Sequence, residues 1–199
     1  MSWSGILKTP RGETMDSPKP DDKELLTRVA CGNLEAFERL YRLYQLRLTR
    51  FLATLLKRPE LIEEVLDDTM MVVWQSAGCF RGSSKASTWI FAIAYRKAHK
   101  ALARWPNPVE DPAVDTRAST DPAPDEELSQ QELHAALLRA MDQLSVDHRA
   151  VVDLTYFHDM GYREIAQIVD CPVATVKTRM FHARRRLKQA MSGRMADWI

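Results

Sequence analysis

The 199-residue chain has few cysteines, few glycines and no long apolar run, and each of these shortages argues against a class of protein. Its three cysteines, Cys31, Cys79 and Cys171, stand far apart and have no His or Cys at metal-ligand spacing, so neither a disulfide framework nor a zinc site is predicted. No apolar run is long enough to cross a bilayer, and the N-terminal residues lack the basic and apolar segments of an export signal. We therefore expect a cytoplasmic protein that needs no metal ion and no cofactor.

The chain also lacks the sequence patterns of common catalytic sites. It has no nucleophile elbow, no glycine-rich phosphate-binding loop and no metal-ligand spacing. Paired carboxylates are the sole candidates for chemistry, and their spacing predicts an open helix face. We therefore expect no catalytic residues and do not interpret the chain as an enzyme.

The residues that are abundant favour an all-α fold. The sequence is rich in Leu, Ala, Arg, Glu and Gln and poor in β-branched runs, which is typical of helical proteins. Apolar residues make up 45% of the chain, enough for one large or two small hydrophobic cores. The net charge of +1 hides a strong separation of acids from bases along the chain, which suggests one surface for nucleic acid and another for a basic protein.

The clearest boundary lies at residues 106–128, which we interpret as a linker. Residues 106–127 hold five of the ten prolines and seven acids against one base, a composition that cannot build a core. Fully extended, this segment could span about 70 Å, so the domains on either side could lie far apart on a partner. The predicted organisation is a disordered N-terminal extension (1–20), a first helical domain (21–105), the linker (106–128), a second, four-helix domain (129–192) and a tail (193–199).

Capping residues predict where the helices begin. In the first domain we expect helices over 22–31, after Asn33, from Pro59 to Ala77, and from a Ser87 cap to Arg104. In the second domain, Ser129 and Glu132 form a predicted capping box, and Ser145 opens the next helix. Gly161 then interrupts the helical pattern.

Residues 162–188 (YREIAQIVDCPVATVKTRMFHARRRLK) have the layout of a helix-turn-helix that reads DNA. Two helices with apolar stripes flank a turn, where Asp170 must adopt a positive φ and Pro172 precedes the second helix. Residues 173–188 contain six Lys or Arg and no acid. A solvated face would normally mix both signs, so this charge pattern favours nucleic-acid binding.

Two further charged surfaces precede the linker. The predicted third helix has an acidic face that fits a basic protein surface or a simple solvated face equally well. Residues 80–87 (FRGSSKAS) form a polar loop that leads into a helix with aromatic and basic residues. Such a combination favours binding of single-stranded nucleic acid, whose phosphates bind cations and whose unstacked bases stack on aromatic rings. Aromatic residues of the core beside a solvated helix face would give the same pattern.

Together these segments resemble a known family. Residues 62–74 (IEEVLDDTMMVVW), 80–94 (FRGSSKASTWIFAIA) and 163–186 (REIAQIVDCPVATVKTRMFHARRR) look like those of an extracytoplasmic-function (ECF) sigma factor. This is the minimal two-domain branch of the main bacterial sigma family, and the resemblance covers about residues 25–190. It implies a chain that binds core RNA polymerase, directs it to promoter DNA and has an anti-sigma factor as a further partner.

The resemblance also implies roles for particular residues. The residues implied to bind the clamp helices of the polymerase are Glu63, Glu64, Asp67 and Asp68. Those implied to capture the melted minus-ten element are Arg81, Gly82, Ser83, Ser84, Lys85, Ser87, Arg96, Lys97 and Lys100. Those implied to contact the duplex minus-thirty-five element are Lys177, Thr178, Arg179, Phe181, His182, Arg184 and Arg185. Three positions depart from the family pattern, in which Ser or Thr is usual at Tyr162, Gly at Asp170 and Asn at Arg96.

Two other interpretations remain open from the sequence. A helix-turn-helix repressor or activator that binds duplex DNA by itself would explain the C-terminal part. It would leave the acidic face and the FRGSSKAS loop without a role, and it usually needs a dimerisation element. A helical adaptor that does not bind DNA is disfavoured by the acid-free stretch after Cys171.

Overall fold

The computed structural model describes residues 21–105, 137 and 139–190, and the structural statements below concern these residues. Seven α-helices have both ends within the described residues, residues 137 and 139–142 are also helical, and none of the described residues forms a strand, which confirms the all-α prediction. The helices are α1 (Asp22–Ala30), α2 (Leu34–Leu55), α3 (Pro59–Ser76), α4 (Ala86–Arg104), α5 (Val146–Tyr156), α6 (Tyr162–Ile168) and α7 (Val173–Ala190). A short 3-10 helix, Ala77–Cys79, follows α3.

Side-chain caps fix two of the predicted helix starts. The Asn33 side chain accepts a 2.8 Å hydrogen bond from the Ala36 N–H, and Ser145 accepts one of 3.5 Å from the His148 N–H. The predicted start of α4 at a Ser87 cap is wrong. Lys85 occupies the capping position without a side-chain cap, and Ser87 already lies inside the helix. The aromatic and apolar residues that follow are packed on several sides, and this packing stabilises α4 without a cap.

The first helical unit, α1 to α4, is built around α2. Four α2 side chains at spacings of three or four are at most 1% exposed, so one stripe of this helix faces inward. They are Leu40, Tyr44, Leu48 and Phe51. The Tyr44 hydroxyl donates to Asp22 Oδ2 at 2.5 Å, which joins α2 to the start of α1.

The second helical unit contains the helical residues 137 and 139–142, followed by α5, α6 and α7. Its interior includes Leu154 of α5, Ile165 of α6 and the α7 residues Val176 and Leu187, all fully buried. These α7 residues recur at helical spacing with Met180 and Ala183, as the sequence predicts.

The two units pack against each other and share one continuous hydrophobic core. Helix α2 contacts α5, and helix α4 contacts α6. In this structure the units are therefore not held apart at the distance that the linker would allow. Helix α4 lies between the two units, and its consecutive residues 90–95 are all buried.

Several expectations lie outside the described residues. They are the N-terminal extension, the linker, the Ser129 and Glu132 capping box and the tail. The domain boundaries therefore remain a prediction. In the part of the chain that is described, no helix combines the length and apolarity required to traverse a bilayer.

Candidate nucleic-acid interfaces

The helix-turn-helix forms as its sequence predicts. Asp170 adopts a φ of +49° between the two helices, and the Cys171 N–H donates to the Ala166 carbonyl at 3.1 Å. The first helix of the motif, α6, is fixed at its start by Glu164, whose Oε2 accepts the Gly161 N–H at 3.0 Å. Gly161 is the N-cap and Tyr162 is the first helical residue, so no side chain accepts the first-turn N–H groups that a Ser or Thr cap would bind.

Helix α7 presents one exposed basic face, which we call the α7 face. Its exposed members are Lys177, Thr178, Phe181, His182, Arg184 and Arg185. Phe181 is 63% exposed, which is unusual for a large apolar side chain and suits contact with a base or a thymine methyl. Because Val176, Met180 and Ala183 are buried on the opposite side, the face is held rigidly.

Arg179 differs from the other predicted minus-thirty-five residues. Its guanidinium donates to Asp147 Oδ2 of α5 at 2.6 Å, and only 23% of its side chain is exposed. In this conformation Arg179 ties α7 to α5 and does not project with the α7 face. No sequence pattern pairs Arg179 with Asp147, because a carboxylate at the start of α5 already complements the dipole of its own helix.

Arg184 is held by an aromatic residue. Its Nε lies 3.0 Å from the Tyr156 hydroxyl, and its guanidinium lies over the Tyr156 ring at 5.8 Å from the ring centroid. Arg184 remains exposed, so stacking orients the cation without removing it from solvent.

The acidic face of α3 is present as predicted. Glu63, Glu64, Asp67 and Asp68 are all exposed. Asp67 accepts a 3.0 Å hydrogen bond from the Tyr41 hydroxyl, and burial together with this carboxylate raises the pKa of Tyr41. Asp68 pairs with Lys97 at 2.9 Å, so Lys97 is bound to the acidic face. Lys97 was predicted among the minus-ten residues, and in this structure it connects the two predicted sites.

The FRGSSKAS loop turns at Gly82, where φ is +69°. The side chain of Lys23 lies across this turn, since a methyl group on Gly82 would meet Lys23 Cε at 3.4 Å. Lys23 therefore adds a cation to the loop that the sequence analysis missed. Its position on α1, far from the loop in sequence, left no signal for it.

A cavity of about 240 Å³ opens beside this loop. Its walls come from the loop, from α4 and from Gln167 of α6. The lining residues are Ser83, Ser84, Thr88, Trp89, Ala92, Arg96 and Gln167. Trp89 is half-buried and packs on Phe80 with ring centroids 5.5 Å apart, whereas Phe91 is fully buried in the core. Of the two aromatics, only Trp89 can contribute to a surface.

Polar residues of both units meet around this cavity and along α4. Lys85 Nζ of the loop lies 2.9 Å from Glu164 Oε1 of α6. Burial opposes ionisation of Glu164, but the Gly161 N–H and Lys85 outweigh it, so the pKa of this carboxyl lies below its usual range. The Tyr95 hydroxyl of α4 donates to Asp147 Oδ1 at 2.8 Å.

Metal-binding side chains do not cluster in the described part of the chain. Among the residues described here, no three His, Cys, Asp or Glu side chains are grouped as a metal site would require. Cys31 and Cys79 are exposed and Cys171 is half-buried, each as a free thiol.

Comparison with known proteins gives the family. The models for sigma-70 region 2 and sigma-70 region 4 match residues 40–105 and 134–187, which together are more than half of the chain. The ECF RNA polymerase sigma-E factor of Haemophilus influenzae is 29% identical over 84% of this chain and 93% of its own length. The RNA polymerase sigma-H factor of Pseudomonas aeruginosa is 27% identical over 85% of this chain and 93% of its own.

A solved structure agrees in fold. The sigma factor RpoE of Bartonella quintana, determined in complex with the anti-sigma factor NepR, superposes with a TM-score of 0.60 and 24% identity. The match covers 79% of this chain and 98% of that one. The chain belongs to the ECF sigma factors of the sigma-70 family. Members of this family are regulatory factors for transcription initiation, not enzymes as such.

Proposed function

We propose that this sigma factor binds core RNA polymerase through the acidic face of α3 and recognises promoters with two separate surfaces. The loop 81–87 and the adjoining part of α4 capture the melted minus-ten element, and the α7 face reads the duplex minus-thirty-five element. The observation that carries the proposal is the exposed, acid-free α7 face, held by the helix-turn-helix turn.

Docking on polymerase depends on charge complementarity. The four carboxylates of α3 lie on exposed positions of two successive turns, so they present a compact negative patch. Such a patch favours a basic partner surface and steers association. Because Asp68 also pairs with Lys97, docking would compete with this contact and change the position of a cation beside the minus-ten site.

Capture of a single-stranded base depends on the cavity beside the loop. Ser83, Ser84 and Arg96 supply polar groups, and Trp89 supplies an aromatic edge. Flipping a base from the stack costs a few kcal/mol, which a fitted pocket and neighbouring cations can offset. In this proposal the predicted cations Arg81, Lys85 and Lys100, together with Lys23, contact the phosphates of the strand, and Gly82 and Ser87 shape the loop.

Reading of the minus-thirty-five element assigns two kinds of role to α7. In this proposal, the exposed residues Lys177, Thr178, Phe181 and His182 meet base edges in the major groove, and Arg184 and Arg185 meet phosphates. Arg179 acts as a positioning residue through Asp147. We propose that the protein acts in the cytoplasm. We also propose that an anti-sigma factor inhibits it, since the similar Bartonella quintana sigma factor forms a complex with one.

The proposal is tested by transcription in vitro with purified core polymerase on a library of random promoters. We expect transcripts from a subset with shared elements at two positions. The double variant Glu64→Lys with Asp68→Lys should lose association with core polymerase and transcription, while duplex DNA binding is retained. Glu35→Lys with Glu38→Lys makes the same charge change on an exposed part of α2 and serves as the control.

Each result has a definite meaning. Retained capture of core polymerase by the α3 variant contradicts the docking assignment. A chain that selects DNA equally well without polymerase and never supports transcription is an autonomous repressor or activator, and the proposed function is then wrong.

A further inference from the structure

Helix α4 carries a row of exposed cations, Arg96, Lys100 and Arg104, which we call the α4 row. Its members stand four residues apart, so they lie one above the other on a single face of the helix. Asp68 neutralises Lys97 on a neighbouring face, but within the described ranges no carboxylate pairs with the α4 row. The helix itself supplies no counter-charge, because α4 contains no Asp or Glu.

This arrangement of charge is unfavourable for the protein on its own. Like charges four residues apart destabilise a helix, and a solvated face normally mixes both signs. A chain of phosphates compensates the repulsion, since it offers negative charges at regular spacing along one direction. The α4 row therefore fits the backbone of a nucleic acid that runs along the helix.

One end of the α4 row meets the cavity beside the loop. Arg96 lines this cavity together with Trp89, and the two residues share a face of α4 because they are seven positions apart. A strand whose flipped base enters the cavity thus meets Arg96 first. Lys100 and Arg104 continue the same path, about one and two turns further along the helix.

The other end of the α4 row reaches an exposed indole. Trp105 directly follows Arg104 and is 54% exposed. Its backbone N–H donates to the Ala101 carbonyl at 2.8 Å, so the helix holds the backbone while the ring stays in solvent. The other tryptophans that the structure describes, Trp74 and Trp89, pack against the core. A flat aromatic surface beside cations is the chemistry that binds unstacked bases.

The length of α4 sets the distance between its two aromatic positions. Trp105 lies 16 residues after Trp89, which is about 24 Å along a helix. A strand covers this distance with about seven nucleotides at the duplex spacing of about 3.4 Å, and with fewer when it is extended. One short single strand can therefore occupy the cavity and contact Trp105 at the same time.

We propose that Trp105 and Arg104 form a second contact for single-stranded promoter DNA, in which an unpaired base stacks on the Trp105 indole and the α4 row binds the phosphates between this base and the cavity. This inference rests on the proposed function of the cavity. The opened strand is then held at two points, one at each end of α4. Because stacking tolerates every base, the second contact stabilises the opened strand without selecting its sequence.

The length of the DNA tests this contact in the free full chain. Fluorescein-labelled single strands of random sequence, about four and about twelve nucleotides long, are titrated at low salt, and only the longer one reaches from the cavity to Trp105. Trp105→Ala should weaken binding of the longer strand by about five-fold or more, and that of the shorter strand less. Trp105→Tyr keeps a flat ring and should restore most of the affinity. Phe157→Ala removes a ring that is 45% exposed after α5, and it is the matched control.

The contribution of Arg104 is measured by the salt dependence of binding. Arg104→Gln should reduce the salt slope of the logarithm of affinity for the longer strand by about 0.7, the value for one phosphate of a single strand. Arg50→Gln removes an exposed arginine of α2 and should leave the slope unchanged. Equal slopes for the two variants would exclude Arg104 from the contact.

The position of the stacked base is measured in the complex with core polymerase. A promoter selected from the library carries 2-aminopurine, a fluorescent adenine analogue that emits less when it is stacked, at successive positions of the melted strand. Emission should be low at one position within about seven nucleotides of the captured base. It should rise there in Trp105→Ala and stay low in Phe157→Ala.

The outcomes separate the second contact from the proposed function. If Trp105→Ala binds the longer strand as tightly as Phe157→Ala does, or weakens binding of duplex DNA only, the second contact is refuted although promoters are still transcribed. Low emission that does not depend on Trp105 refutes the stacking in the same way. If the free chain shows the Trp105 effect and no promoter is transcribed, α4 binds single strands as inferred and the proposed role in initiation is wrong.

Discussion

Tyr95 and Asp147 join the two helical units through a 2.8 Å hydrogen bond from the tyrosine hydroxyl to Oδ1. The other oxygen of this carboxylate binds Arg179 of α7 at 2.6 Å. Asp147 therefore connects the helix beside the proposed minus-ten site to the helix proposed to read the minus-thirty-five element. Burial, reinforced by Asp147, raises the pKa of Tyr95, so the hydroxyl stays protonated and remains a donor at neutral pH.

Replacement of Asp147 should weaken both connections. Asp147→Asn keeps one acceptor oxygen but loses the charge-assisted bond to Arg179, so we expect a loss of about 1–3 kcal/mol in the free energy of unfolding. Urea unfolding at neutral pH measures this loss of stability. Glu24→Gln changes an exposed helical carboxylate in the same way and should lower the free energy of unfolding much less. Equal losses from the two variants would show that Asp147 is not a structural link.

Asp153 predicts a pH dependence of stability. Burial raises its pKa, and contacts with His158 and Thr54 offset this only in part. The folded pKa thus lies above the unfolded value, so this group stabilises the fold below the unfolded pKa, and that contribution is lost as pH rises through the folded pKa. Asp153→Asn cannot titrate and can still accept the Thr54 hydrogen bond. The stability difference, wild type minus variant, should therefore decrease as pH is raised from about 4 to 7.

Urea unfolding of both proteins across this pH range makes the measurement. Because His158 faces Asp153, the comparison is repeated in a His158→Gln background, where the histidine cannot titrate. A difference that is constant with pH, or one that rises, would contradict the assigned direction of the pKa shift.

Asp170 holds a backbone conformation that L residues rarely adopt, with φ at +49°. Glycine has no steric penalty there, whereas alanine cannot offer the local hydrogen bonding by which Asp tolerates this region. We expect Asp170→Gly to be neutral or stabilising by up to about 1 kcal/mol and Asp170→Ala to be destabilising by about 1 kcal/mol. Thermal unfolding ranks the three proteins. If Asp170→Ala were the most stable of the three proteins, the backbone at position 170 would not be strained.

The local parts of this fold could be predicted because their signals are local. The positive φ at Asp170 and the cap at Asn33 each depend on residues within a few positions, and both are present. The apolar stripe of α7 was likewise predicted from the helical spacing of its residues. The family resemblance rested on such segments, which is why the fold class and the family were predicted together.

The contact between the units was not predicted, although α4 carried a signal for it. Residues 89–95 (WIFAIAY) are apolar in every direction around the helix, and such a helix must be covered on more than one side. The individual partners were beyond prediction. Tyr95 with Asp147 and Lys85 with Glu164 are far apart in sequence, and none of these residues alone indicates its partner.

Lys177 gives the sharpest test of the α7 face, because it is exposed near the start of the helix. If it neutralises one phosphate, Lys177→Ala should weaken duplex binding and reduce the salt slope of the logarithm of affinity by about one. If it reads a base edge, the variant should change sequence preference at one position and cost about 1–3 kcal/mol there. Titration of the full chain with a selected promoter duplex at several salt concentrations, and with single-base variants, separates these results. Lys188→Ala removes the same charge about 16 Å further along the helix and should leave base preference intact. Unchanged affinity, slope and preference in Lys177→Ala would exclude this lysine from the interface.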